Sequence, residues 1–165
     1  MRHCLALAAA LVLGASAVHA ADPVTVALKT GAGGDAGKVT LTEATKGVLL
    51  KVEAKGLTAG WHGLHFHEKA DCSKADFTSA GAHTHGPEKA VHGLLHPEAN
   101  ETGDLPNLYA GADGVGNAEV FTGLTTLKAL RDADGSALVI HAAADDHKTQ
   151  PIGGAGARVA CGEIR

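Results

Sequence analysis

The stretch Val48-Leu49-Leu50-Lys51-Val52-Glu53-Ala54-Lys55 determines the class of fold, because its side chains alternate in character. Apolar residues recur at every second position from Val48 to Ala54, and the charged residues from Lys51 to Lys55 share the opposite face. A period of two is typical of a β-strand with one buried face. The segment therefore predicts a half-buried strand.

Strands of this kind recur along the chain. The further candidates are 24–29, 38–42, 117–122, 136–141 and 158–164. Glycine-rich or Asp-Gly turns at 31–37, 113–114 and 134–135 have the chemistry that joins antiparallel strands. We predict an all-β domain, an eight-stranded antiparallel Greek-key sandwich or barrel with two long functional loops.

Composition limits the classes of function. The chain has 165 residues, a formal net charge of −4 and 3% aromatic residues. That charge gives no electrostatic footprint for nucleic acid, and no basic amphipathic stretch suggests membrane binding. We expect neither nucleic acid nor membrane among the partners of the mature chain.

The first 20 residues predict a secretory signal peptide. A short basic start precedes an apolar stretch at 5–18, and small residues lead to Ala20, the expected cleavage site. A membrane anchor is the weaker interpretation, since the stretch is short for a span. We therefore expect a single domain over 21–165 in the periplasm or otherwise exported. Cys72 and Cys161 then remain, and an oxidising compartment favours one disulfide between them over two free thiols.

Histidines mark a possible metal site. In a strand at 63–68, the period of two places His65 and His67 on one face. His83, His92 and His141 follow at wide spacings, in or beside two loops, 68–106 and 142–156, that show no periodic pattern. Long structureless loops in a compact domain are usually functional, and imidazole suits copper and zinc.

Several motifs together resemble the copper/zinc superoxide dismutases of the bacterial exported type. They are Gly63-Leu64-His65-Phe66-His67-Glu68, Asp71-Cys72, Ser79-Ala80-Gly81-Ala82-His83, His92-Gly93-Leu94, Gly103-Asp104-Leu105-Pro106-Asn107, Val139-Ile140-His141 and Gly156-Ala157-Arg158-Val159-Ala160-Cys161-Gly162. The resemblance covers nearly all of the chain after residue 20. The resemblance implies the disulfide between Cys72 and Cys161 and conversion of superoxide to oxygen and hydrogen peroxide.

The resemblance also implies a metal-ligand set. The implied copper ligands are His65, His67, His83 and His141, and His83 bridges to a zinc held also by His92 and Asp104. Arg158 matches the anion-guiding arginine, and Arg158 and His83 are the implied catalytic residues. Asp145 matches the carboxylate that binds one ligand histidine of each metal.

One position departs from the family pattern. Glu101 stands where the family places its third zinc histidine. Zinc accepts carboxylate oxygen, so Glu101 is one candidate ligand. A substitute histidine, His96 or His85, is the second candidate, and weak or absent zinc binding is the third.

Two functions are compatible with these residues. We expect a superoxide dismutase whose substrate is superoxide, and which acts as a monomer or a homodimer. The alternative is an exported copper- and zinc-binding protein of the same fold with little or no dismutase turnover. The altered zinc position and the additional His85, His96 and His147 are the features that support this alternative.

Overall fold

A computed structural model describes residues 22–165, so the predicted signal peptide and its cleavage site lie outside the described residues. The strands are β1 (Val24–Thr30), β2 (Asp35–Ala44), β3 (Gly47–Ala54), β4 (Gly60–His62), β5 (Leu64–His67), β6 (Leu108–Ala110), β7 (Gly116–Thr122), β8 (Ser136–His141) and β9 (Arg158–Ile164). A single helical turn, α1 (Leu127–Leu130), and a short 3₁₀ turn (Thr78–Ala80) complete the described elements.

Seven strands form one antiparallel sheet in the order β5-β8-β9-β1-β2-β3-β7, and β4 pairs with β6. The chain crosses from β3 near one end of this order to β5 at the other, and it crosses back between β7 and β8. The predicted all-β Greek-key class is confirmed. The described part has nine strands rather than about eight, because β4 and β6 form a separate ladder of three residue pairs.

The alternating pattern of β3 is confirmed by burial. Val48, Leu50 and Val52 have no exposed surface and belong to the main core. Burial of such side chains contributes about 1.5–3 kcal/mol each before the entropy cost of ordering the chain. Leu64 and Phe66 of β5 are equally buried in this core, which leaves the opposite face of β5 for the histidines.

The long segment between β5 and β6 is attached to the sheet at several points. Isolated bridges pair His67 with His83 and His65 with Asp104. The disulfide between Cys72 and Cys161, predicted from the sequence, is present with a Cα–Cα distance of 5.9 Å and joins this segment to β9. These attachments hold loop residues against β5. No helix within residues 22–165 has the length and apolar character needed to cross a bilayer.

Candidate metal centre

Strands β5 and β8 supply three histidines to one buried cluster. His65 and His67 share a face of β5, as the period of two predicted, and His141 ends the neighbouring strand β8. The ring centroid of His141 lies 4.9 Å from that of His65 and 5.7 Å from that of His67. His83 joins them from the long loop, where its ring stacks on His65 with a centroid distance of 4.0 Å.

These four histidines offer a complete donor set. One potential ligand atom from each lies within 4.8 Å of those from the others, and all four residues are buried. Each ring also has one buried nitrogen that finds no hydrogen-bond partner within residues 22–165. These atoms are His65 Nδ1, His67 Nε2, His83 Nε2 and His141 Nε2. Buried polar atoms are rarely left unpaired, so the donor set fits a bound copper ion.

The second nitrogen of each ring is occupied, which fixes its orientation. His65 Nε2 donates to Asp145 Oδ2 at 2.7 Å. His67 Nδ1 donates to the Gly81 carbonyl at 3.0 Å, and His141 Nδ1 donates to the Gly156 carbonyl at 3.1 Å. Such contacts place the proton on one nitrogen and leave the other free as a metal ligand.

Electrostatics favour the neutral form of two of these imidazoles, His67 and His141. Burial, assisted by the charge of His83, lowers the pKa of His67 to about 2. Burial, assisted by His65, lowers the pKa of His141 to about 3. The neutral ring is the form that binds a metal.

A second cluster lies on the other side of His83. His83 Nδ1 is 2.7 Å from Glu101 Oε2 and 3.6 Å from Asp104 Oδ1. His92 Nδ1 is 2.9 Å from each of the same two oxygens. Two nitrogens and two oxygens thus lie close together, and zinc accepts both kinds of donor. Glu101 is 7% exposed and Asp104 is 1% exposed.

The carboxylates of this cluster favour charged histidines. Burial opposes the charge on His92, but Asp104, Asp145 and Glu101 outweigh it and raise the pKa of His92 to about 11. Burial likewise opposes the charge on His83, and Asp104 and Glu101 raise the pKa of His83. Excess negative charge at this point is what a divalent cation would neutralise.

Geometry separates the candidates for the fourth zinc ligand. His65 also lies within ligand distance of His83, His92 and Asp104, but its Nε2 already donates to Asp145. His96 is partly exposed and its Nδ1 accepts from the Glu98 backbone, while His85 is exposed. Neither belongs to the potential metal-binding groups found in residues 22–165. Glu101 also belongs to neither group, but its Oε2 lies 2.7 Å from His83 Nδ1 and 2.9 Å from His92 Nδ1.

Asp145 connects the two clusters. Its Oδ2 accepts from His65 Nε2 at 2.7 Å, and its Oδ1 accepts from His92 Nε2 at 3.1 Å. Burial opposes its charge, but these two histidines hold the pKa of Asp145 well below its usual range. The arrangement matches the contact with one histidine of each cluster that the resemblance implied.

Arg158 begins β9 directly opposite His141. Its Nη1 donates to the Phe77 carbonyl at 2.6 Å and its Nη2 donates to the Gly81 carbonyl at 2.7 Å. The Gly81 carbonyl also accepts from His67, so one loop oxygen joins the guanidinium to the copper-facing set. The positive charge is thereby fixed beside that set.

Two residues of the site were not assigned from the sequence. Asn107 forms a pair of hydrogen bonds with the backbone of Asp145, and His147 contacts the Asp145 carboxylate. Asn107 belongs to the motif that contains Asp104, and that membership is the one signal in the sequence that points to it. His147 is one of several histidines in a loop, and nothing in the sequence distinguished it from the solvent-facing ones.

Comparisons with known proteins agree with this geometry. The family model described as copper/zinc superoxide dismutase matches residues 35–164. A superoxide dismutase [Cu-Zn] of Caulobacter vibrioides is 62% identical over 147 residues, covering 86% of this chain and 84% of that protein. A SOD-like protein from Bacillus subtilis, known from a crystal structure, is 35% identical to this chain in sequence, with a TM-score of 0.76. The match covers 86% of this chain and 97% of that one. The Cu/Zn superoxide dismutase from Brucella abortus is 32% identical with a TM-score of 0.73, over 87% of this chain and 100% of that one. The match of family, fold and histidine clusters establishes that the chain belongs to the copper/zinc superoxide dismutase family.

Proposed function

We propose that this protein converts superoxide to oxygen and hydrogen peroxide at a copper ion held by His65, His67, His83 and His141. The single observation that carries the proposal is the set of four buried ring nitrogens that have no hydrogen-bond partner in the described part of the chain. A zinc ion would be held by His83, His92, Asp104 and Glu101. His83 belongs to both sets, so its ring would offer Nε2 to one metal and Nδ1 to the other.

The overall reaction takes two superoxide ions and two protons to one oxygen and one hydrogen peroxide. Copper, when bound, supplies the one-electron couple for both halves of this reaction. Arg158 docks the anion, because its guanidinium stays charged and retains N–H groups beyond the two that bind Phe77 and Gly81. His83 Nε2 faces the copper-binding set and, when it is not bound to metal, would hold one of the two protons that the reaction takes up from water and pass it to the reduced dioxygen.

Glu101 completes the zinc site in place of a histidine. Its Oε2 lies within 2.9 Å of the Nδ1 atoms of both His83 and His92. The additional carboxylate neutralises one more unit of metal charge beside the bridge than a histidine would. We therefore expect a zinc site that binds the metal and attracts the substrate anion less strongly than a site with three histidines.

The alternative function, a metal-binding protein with little turnover, is not favoured by 62% identity to a superoxide dismutase. Arg158 beside the copper-facing histidines also supports turnover, since a metal carrier has no need of an anion dock. Superoxide is therefore the substrate in this proposal.

We further propose where the protein is located and how its chain is processed. Residues 1–20 act as a signal peptide, and 21–165 form the mature domain, which works in the periplasm or another exported location. The disulfide supports this proposal, because such bonds persist in oxidising compartments. Mass spectrometry of protein purified from periplasmic extract should find a mature N-terminus at Ala21. The mature protein is a monomer or a homodimer, which light scattering distinguishes.

The decisive experiment combines metal analysis with a dismutase assay on the purified mature protein. We expect one copper and one zinc per chain and rapid turnover of superoxide. His141→Gln should lose copper and activity, while His85→Gln, at an exposed ring, serves as the matched control. A fully active His141→Gln variant, or copper-replete wild-type protein without turnover, would refute the proposed function.

A further inference from the structure

His147 contacts the Asp145 carboxylate with both its backbone and its ring. Its backbone N–H donates to Asp145 Oδ1 at 2.6 Å, and its ring Nδ1 lies 3.6 Å from Asp145 Oδ2. The backbone of His147 has a φ of 60°, a conformation that residues other than glycine adopt rarely. Such a conformation persists only where the surrounding structure holds it, and it often accompanies a functional role.

Asn107 determines which ring nitrogen of His147 carries the proton. The side-chain Oδ1 of Asn107 accepts from the Asp145 N–H at 2.9 Å, and its Nδ2 donates to the Asp145 carbonyl at 2.8 Å. These two contacts fix the orientation of the amide, and the second N–H of Nδ2 is left to face His147 Nε2 at 3.2 Å. Because an amide nitrogen only donates, His147 Nε2 must accept. The neutral ring then carries its proton on Nδ1.

That proton lies on the ring nitrogen that contacts the carboxylate joining the two metal-binding clusters. His147 Nδ1 is buried and has no hydrogen-bond partner within residues 22–165, and Asp145 Oδ2 lies just beyond bonding distance. Asp145 is therefore contacted by three histidines, of which His65 and His92 belong to the proposed metal sites. His147 is the third, and it binds no metal in this arrangement.

We propose that His147 and Asn107 are positioning residues that fix the Asp145 carboxylate and, through it, the ring orientations of His65 and His92. This inference rests on the proposed function, since those rings matter only if they hold metals. Partners that orient ligand histidines affect metal affinity nearly as much as the ligands do. Asn107 anchors the backbone of Asp145, and His147 holds the plane of its carboxylate.

A purely structural role for His147 makes a different prediction. The ring lines a surface cleft with Trp61, Pro106, Asn107 and Ala144. In a purely structural role, it would do no more than fill space in this cleft. His147→Gly removes the ring and suits the φ of 60°, whereas His147→Asn tolerates that backbone and returns an N–H donor near the position of Nδ1. Space-filling predicts that both variants behave alike, and positioning predicts that Asn recovers most of the loss.

The test measures zinc release into excess chelator and the visible absorption band of bound copper. We expect His147→Gly to release zinc about 10–100-fold faster than wild type, with a shifted copper band. His147→Asn should recover most of both properties. Lys148→Gly is the matched control, because the Lys148 side chain makes no hydrogen bond or ion pair within residues 22–165 and should leave both unchanged. Wild-type behaviour of His147→Gly, or equal defects in the Gly and Asn variants, would overturn the proposal.

A second measurement requires no variant. Nitrogen-15 NMR of the metal-free wild-type protein should show the neutral His147 ring protonated at Nδ1, and protonation at Nε2 would overturn the inference. Wild-type metal content and dismutase rate are measured in parallel. Protein that binds both metals and turns over superoxide, but has the opposite tautomer, contradicts the positioning role alone. Failure to bind copper or to turn over superoxide contradicts the proposed function.

Discussion

At the scale of single residues, Glu101 is where the proposed zinc site departs from a set of three histidines and one aspartate. A carboxylate in contact with His83 and His92 leaves more negative charge at the metal than an imidazole would. We expect Glu101→His to retain zinc longer than wild type against a chelator. Glu101→Ala should shorten retention at least about tenfold, since loss of a ligand should cost no less than loss of an outer partner.

The matched control for this prediction is His96→Ala. His96 is the other candidate ligand, and its ring is partly exposed and accepts from the Glu98 backbone. If Glu101→Ala keeps zinc as well as wild type while His96→Ala releases it, then His96 rearranges to become the ligand. The assignment of Glu101 would then be wrong.

The lowered pKa values of His67 and His141 predict how acid affects the stability of the metal-free protein. The pKa of His67 is lowered to about 2 and that of His141 to about 3, from an ordinary value of 6.5. Below pH 6.5 the unfolded chain therefore binds more protons at these residues, so the free energy of unfolding falls as pH falls toward those values. Each histidine contributes a slope approaching about 1.4 kcal/mol per pH unit.

This effect is measured between pH 6.5 and about 5. The pKa values of His83 and His92 are raised, so the stability that these two residues contribute is lost only as the pH rises above that window. Urea unfolding of chelated protein at the two ends of that window measures the slope. His67→Gln should reduce the slope by the equivalent of about one proton. A free energy of unfolding that is constant across the window would contradict the burial of neutral rings.

At the scale of elements, the disulfide joins the loop after β5 to β9, and both carry parts of the site. Phe77, Ala80 and Cys161 form a small core with β8, beside the carbonyls that hold Arg158. Reduction should lower the free energy of unfolding by about 4.6 kcal/mol in the loop-entropy model. Freed from β9, the loop should present His83 and the Arg158 acceptors less rigidly, so copper should exchange faster.

This prediction is checked by urea unfolding and by copper transfer to a chelator, with Cys72→Ser and Cys161→Ser compared to the double variant. All three should behave alike, because each removes the same bond. Titration of undenatured, unreduced mature protein should find no free thiol. Two reactive thiols in that protein would contradict both the disulfide and the proposed exported location.

Elements also differ in how far the sequence determines them. β3 was predictable because its alternating pattern runs over eight residues, and His65 and His67 share a face for the same reason. β4 and β6 have three residues each, too few to show a period. The contact of Asn107 with His147 joins residues 40 positions apart, and the fold alone brings them together. The local sequence pattern therefore predicts which segments are strands and which residues share a face. The contacts that Asn107 and His147 make with Asp145 depend instead on how two loops pack together.

At the scale of the whole molecule, a net charge of −4 repels an anionic substrate, so local positive charge must guide it. Arg158 is the cation held beside the copper-facing histidines, through the Phe77 and Gly81 carbonyls. Arg158→Ala should keep copper bound while lowering the second-order rate about tenfold or more and weakening its dependence on ionic strength. Arg158→Lys should be intermediate, since it keeps the charge but loses the paired donors.

Lys51→Ala provides the control, because it changes the net charge by the same amount at an exposed position on β3. If attraction came from the overall charge, both alanine variants would slow the reaction equally. Local docking instead predicts that Lys51→Ala stays near the wild-type rate and keeps the wild-type salt dependence. Rates are measured across a range of salt concentrations on protein of known copper content. Loss of copper from Arg158→Ala, or an unchanged rate, would show that Arg158 does not dock the substrate.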